Sequence, residues 1–198
     1  MKVRIITVCV LVVLGGCVGV GTVPDAIDGA EHTTADTEPT PRQPTTPSSA
    51  RYDVDVKQIE DLIHEKMNER RVQNGVEPLE RNETLDAVAR YKSWDMAKRD
   101  YFAHTGPNGT THPELRAQYE LECGRSGQNI YKHKTQQIVE NTHKFLTNSE
   151  KASKSAVDFL LNSPSHRQNA LSSNYDSQGI GVFVDENGTV FVTQELCG

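Results

Sequence analysis

Residues 179–194 read Gly179-Ile180-Gly181-Val182-Phe183-Val184-Asp185-Glu186-Asn187-Gly188-Thr189-Val190-Phe191-Val192-Thr193-Gln194. Ile180, Val182 and Val184 alternate with smaller or polar positions, and Val190, Val192 and Gln194 resume the alternation after Asn187-Gly188. A period of two marks a strand with one buried face. Asn-Gly between two such runs marks a two-residue β-hairpin, because both residues tolerate positive φ. The chain therefore closes on an antiparallel hairpin.

Upstream of the hairpin the period changes. Ile59, Leu62, Ile63 and Met67 recur at three- and four-residue spacing, which predicts an amphipathic helix over roughly 56–74, stopped by Gly75. Asn82 can cap a second helix with Leu85, Val88, Ala89, Ser93, Met96 and Ala97 on one face, where small residues suit close packing. Thr111 can cap a short helix from His112 to about Tyr119, and Gln128 to Tyr131 reads as a short strand. A helix is expected over 138–146, an exposed Lys/Ser-rich loop over 148–155, and a further helical segment over 156–161 broken by Pro164. Helices first, a short strand between and a hairpin last describe an α+β domain, with helices stacked on a small antiparallel sheet.

The N-terminal third is different in kind. Lys2 and Arg4 precede an apolar run from Ile5 to Leu14, too short for a bilayer span but suited to a signal-peptide core. The run ends in Leu14-Gly15-Gly16-Cys17, which resembles the lipobox of prokaryotic lipoproteins. That resemblance implies removal of residues 1–16 and lipidation of Cys17. An ordinary signal-peptide cut near Cys17 is the alternative; lipidation is favoured because a free thiol on the outer surface is a reactive liability. Residues 17–52 then form a Thr/Pro-rich stretch with almost no large apolar side chain after Ile27. Such a segment cannot bury enough surface to offset its ordering entropy, so a disordered stalk is expected. Residues 53–198 are left as one domain with one core. The expected location is extracytoplasmic, anchored to the outer face of the cell membrane.

The formal net charge is −6 and the acids are spread along the chain. No Lys/Arg stripe stands out, so nucleic acid is not an expected partner. Two cysteines remain in the domain, Cys123 and Cys197. Outside the cell a disulfide between them is favoured, worth about 2–4 kcal/mol; a free, nucleophilic Cys123 is the competing state.

Several short motifs fall in a fixed order: Met96-Ala97, Phe102-Ala103-His104, Ser126-Gly127-Gln128-Asn129-Ile130, Asn162-Ser163-Pro164-Ser165-His166-Arg167-Gln168-Asn169, Gly179-Ile180-Gly181-Val182 and Phe191-Val192-Thr193-Gln194. Together they resemble the CAP superfamily, or SCP domain, in its prokaryotic secreted branch. The resemblance implies an α-β-α sandwich and a surface cleft that many members build from two histidines and two acids. The matching histidines are His104 and His166. The family's Gly-Glu-Asn-Ile appears as Gly127-Gln128-Asn129-Ile130, so an amide replaces the first acid; the second acid position falls at Ser163. His104, Gln128, Ser163 and His166 are thus the expected cleft.

Two imidazoles suit zinc, but zinc normally takes three or four protein ligands, and Gln128 removes a carboxylate. A metal on His104 and His166 is therefore expected to be weak, with His112 and His133 as further candidate ligands. A polar pocket whose histidines bond to Gln128, Ser163 and water is favoured over a metal centre. Family members have been linked to lipids, sterols or cell-envelope partners, which makes a ligand- or partner-binding module the expected function, with a small molecule also in range. The alternative is a surface hydrolase using Cys123 or Ser163 with a histidine. Asn108 and Asn187 lie in Asn-x-Thr sequences within expected turns and are candidate glycosylation sites, whereas Asn82 reads as a helix cap.

Overall fold

The computed structural model describes residues 54–134 and 148–198. The expected signal sequence, Cys17, the expected stalk and the helix expected over 138–146 lie outside the described residues. Within them the order is α1 (Val56–Gln73), β1 (Glu80–Arg81), α2 (Glu83–Lys98), α3 (His112–Ala117), β2 (Ser126–Lys134), α4 (Ser149–Asn162), α5 (Pro164–Ala170), β3 (Ser177–Val184) and β4 (Thr189–Cys197). No described helix is long and apolar enough to cross a membrane.

The strands form one sheet in the order β1-β3-β4-β2. β2, β4 and β3 are antiparallel neighbours, as expected, but a two-residue β1 adds a parallel edge against Ser177 and Gln178. On one face Ile180, Val182, Val184, Val190 and Val192 pack with Ile59, Ile63 and Met67 of α1 and with Ala152, Ala156, Val157 and Leu160 of α4. On the other face α2 lies directly on the β3 backbone. A Cβ on Gly179 would come within 2.1 Å of the Leu85 carbonyl carbon, and one on Gly181 within 2.0 Å of the Arg90 nitrogen. The Gly-x-Gly spacing on β3 is what admits this helix. The result is the expected α-β-α arrangement.

Three local expectations change. Ser149 to Ser155 is the first half of α4, not a loop: Asn148 caps it by accepting from the Lys151 nitrogen at 2.9 Å, and Ala152, Ser153 and Ala156 form a buried small-residue face hidden among lysines. β2 runs for 9 residues, well beyond Tyr131. The hairpin loop is longer than two residues, because the Asp185 carboxylate accepts from the Asn187 and Thr189 nitrogens at 2.9 and 2.7 Å. Gly188 alone in this loop takes positive φ, at 75°, the geometry of a type I turn closed by a glycine bulge.

β1 is too short to cover β3. Beyond it, the Ile180 nitrogen donates to the Asp86 carboxylate at 2.7 Å and the Val182 nitrogen to the Glu60 carboxylate at 3.1 Å. Arg90 grips Glu60 through Nε at 2.8 and 3.0 Å, and Arg81 grips Asp86 through Nε at 2.6 and 2.8 Å. Two buried carboxylates, each neutralised by an arginine, stand where a neighbouring strand would have supplied acceptors.

Candidate ligand-binding cleft

His104 follows α2 on an exposed turn, and Gln128 sits near the start of β2 with 4% of its surface accessible. The His104 Nδ1 and the Gln128 Oε1 are 2.8 Å apart. On its other side Gln128 donates from Nε2 to the Glu195 carboxylate at 2.6 Å. Glu195 lies directly across the ladder, since Gln128 pairs with it in the β2–β4 register. It is wholly buried and also accepts from Arg116 Nη1 at 3.0 Å. Burial pushes the Glu195 carboxyl up to about 7, against the pull of the Gln128 and Arg116 hydrogen bonds.

This line fixes proton positions. An ionised Glu195 accepts only, so it draws the Gln128 amide nitrogen toward itself and leaves Oε1 for His104. The neutral His104 then carries its proton on Nδ1, and Nε2 keeps a lone pair on the outer side of the ring. His112 has the opposite assignment. Its Nδ1 lies 2.9 Å from Arg116 Nη1, an obligate donor, so its proton belongs on Nε2. Burial, then the charges of Arg116 and His104, lower the His112 pKa to about 4.

His166 sits on α5 with its ring 6.0 Å from Phe159, itself 47% exposed. Its carbonyl accepts from Asn129 Nδ2 at 3.1 Å, and Asn129 is tied onward to Gln194 at 2.9 Å and Asn169 at 3.1 Å. The buried His166 Nδ1 has no hydrogen-bond partner among the described residues. Burial lowers the His166 pKa and the charge of His104 lowers it further. Ser163 closes α4 and opens α5. Its Oγ lies 3.4 Å from Ser165 Oγ, and it makes no hydrogen bond to His104, Gln128 or His166 among the described residues.

Cys123 and Cys197 form a disulfide across a sequence separation of 74 residues. The thiol nucleophile of the hydrolase alternative is therefore absent. For zinc the donor set falls short: His104 and His166 supply two imidazoles, Gln128 is an amide, and no group of three His, Cys, Asp or Glu side chains suited to a metal occurs among the described residues. His112 is engaged by Arg116, and the His133 ring stacks on Tyr131 at 6.1 Å. Neither completes a ligand set.

A family model described as the cysteine-rich secretory protein family, CAP, matches residues 64–196. The chain belongs to the CAP family. The matched span of this CAP domain includes His104, Gln128, Ser163, His166 and Glu195. The Uncharacterized protein YkwD of Bacillus subtilis (strain 168) is 29% identical over 143 residues, which is 72% of this chain and 48% of that protein. The CAP chain thus spans about half the length of this curated relative. An extracellular protein containing a SCP domain from Bacillus anthracis str. Ames shares the fold at a TM-score of 0.57 and 23% identity, covering 71% of this chain and 40% of that one. An outer surface protein from Borrelia burgdorferi does so at a TM-score of 0.59 and 18% identity, covering 72% of this chain and 94% of that one.

Glu195 is the site residue that motif reading passes over. The signal for it was present: an acid near the end of β4 on the face opposite Val190 and Val192, an unusual place for an unpaired charge.

Proposed function

We propose that this CAP protein is an extracytoplasmic binding module, exported by its N-terminal signal and held at the outer face of the membrane through lipidated Cys17, whose His104–His166 cleft takes a ligand or partner of the cell envelope. The observation that carries it is the Glu195–Gln128–His104 hydrogen-bonded line, which ends on an exposed imidazole; with Glu195 ionised, Nε2 is the acceptor it offers a ligand. Support for the location comes from fold relatives described as an extracellular protein and an outer surface protein.

Binding is favoured over hydrolysis on chemical grounds. Hydrolysis needs a nucleophile within hydrogen-bond reach of a base. Cys123 is bridged, and Ser163 has Ser165, not a histidine, beside its hydroxyl. A divalent metal on two imidazoles would bind weakly, so no step depends on one. The test is a native mass spectrum of the protein exported by its own host. An adduct retained by the wild type and lost in a folded His104→Ala/His166→Ala variant supports the cleft. An adduct unchanged in that variant removes the cleft from the function. A lipid mass on the N-terminal cysteine, lost in Cys17→Ser, tests the anchor separately.

A further inference from the structure

A recess opens beside the His104 loop, between α2, the 106–111 loop and α3. It shares His104 with the cleft and none of Gln128, Ser163 or His166; its walls include Lys92, Tyr101, Thr110, His112 and Gln118. Its interior offers about 20 Å³, room for one small group at the scale of a water or an anion's oxygens.

Lys92 is the unusual member. Its side chain rises from the packed face of α2, one turn from Val88 and from Met96, and only 3% of the residue is accessible. Its ammonium donates to Tyr101 Oη at 3.0 Å and to the His104 carbonyl at 2.8 Å, both neutral acceptors. A buried cation normally has a carboxylate in contact. The nearby acids are already taken: Asp95 is gripped by Arg99 through two bonds of 2.6 and 2.5 Å, and Glu195 by Arg116. Tyr101 donates its hydroxyl proton to Asp95, so it relays that charge only partly to Lys92. His112 is neutral, held so by burial and Arg116. Among the described residues, three cations, Lys92, Arg99 and Arg116, therefore face two carboxylates, leaving one positive charge beside a cavity. Burial lowers the Lys92 pKa to about 8, in keeping with an ammonium short of counter-charge.

We propose that this recess is an anion subsite, in which the Lys92 ammonium takes the carboxylate end of a small ligand. Tyr101 and the His104 carbonyl take two of the three ammonium protons, which leaves the third for a ligand oxygen. Because the recess adjoins His104, a ligand seated in the cleft could place its acid group here. The subsite itself stands without that cleft assignment.

Acetate is the probe. It is titrated at constant ionic strength into the purified full-length protein, following the ring resonances of His104 and His112. Saturable shifts are expected in the wild type at neutral pH, with affinity falling at least about ten-fold in Lys92→Met, the loss of one charge-assisted hydrogen bond. Within the wild type, affinity should also fall as pH rises past about 8 and Lys92 loses its proton. This pH series needs no variant, so a misfolded Lys92→Met chain leaves the test intact. Absence of a saturable shift, equal affinity in a folded Lys92→Met variant, affinity independent of pH, or displacement by phosphate or chloride in preference to acetate would each overturn the assignment. A His104→Ala/His166→Ala variant that still binds acetate would support the subsite while separating it from the cleft.

Discussion

Glu60 and Glu195 are both almost completely buried, at 1% and 0% exposure, and in both burial raises the carboxyl pKa. Their surroundings differ. Glu60 is saturated: Arg90 holds it by three contacts, Arg81 approaches it, and the Val182 nitrogen donates to it. Every partner is a structural element, and the charge stops there. Glu195 has fewer donors, and one of them, Gln128, passes its influence to an exposed histidine. The first carboxylate completes a sheet edge. The second is linked through Gln128 to a surface imidazole.

That contrast breaks first at the sheet edge. Glu60→Ala leaves Arg90 with only the more distant Asp86 carboxylate, at 4.0 Å, and the Val182 nitrogen without an acceptor, so a loss of about 3–5 kcal/mol is expected in urea unfolding. The folded fraction should keep its cleft signals. A loss confined to ligand binding, with stability intact, would place Glu60 in the wrong class.

The bridge sharpens the comparison from the other end of β4, where Cys197 ends the strand that bears Glu195. Cys123→Ser/Cys197→Ser should cost about 2–4 kcal/mol, through freedom restored to the unfolded chain. Hydrogen exchange should rise at the 123–126 and 195–198 ends before it rises at the α1–β3 edge.

A smaller effect separates the groups by pH. Glu195 has its folded pKa raised from 4.5 to about 7, so it favours folding most below about 4.5, and that contribution is lost as pH rises to about 7. His112 has its folded pKa lowered from 6.5 to about 4, so its contribution is present above 6.5 and is lost as pH falls toward 4. Glu195→Gln should remove the first slope and His112→Gln the second, read from unfolding free energies across that window. A wild-type slope retained in both variants would assign the titration to other groups. The smallest stability effect is expected at the cleft itself: His104→Ala, at an exposed turn, should stay within about 0.5 kcal/mol of wild type while ligand binding falls.

Much of the fold was legible in the sequence. Asn82 capping α2, the Ile59–Met67 stripe and the alternation around Asn187-Gly188 carry their own local physics. β1 was not, because two residues show no period. The start of α4 was hidden because its buried face is Ala152, Ser153 and Ala156 among lysines, which composition reads as a loop. The turn at Asp185 was misjudged by one interaction, a side chain accepting from its own loop. His104, His166 and Gln128 were singled out by ordered motifs, and the structure joins His104 to Gln128 by a hydrogen bond. Glu195 and Lys92 did not, since burial of a charge depends on partners distant in sequence: Arg116 is 79 residues from Glu195. Lys92 did leave a trace, a lysine one turn from Val88 and Met96 on the apolar face of α2.

The central claim is that buried Glu195, acting through Gln128, sets the protonation geometry of His104. Long-range proton–nitrogen correlation on the histidine rings tests it most directly. Above the Glu195 range of about 7, the neutral His104 ring should carry its proton on Nδ1, with Nε2 unprotonated, and Glu195→Gln should erode that preference. A neutral His104 found with its proton on Nε2 in the wild-type protein would contradict the account.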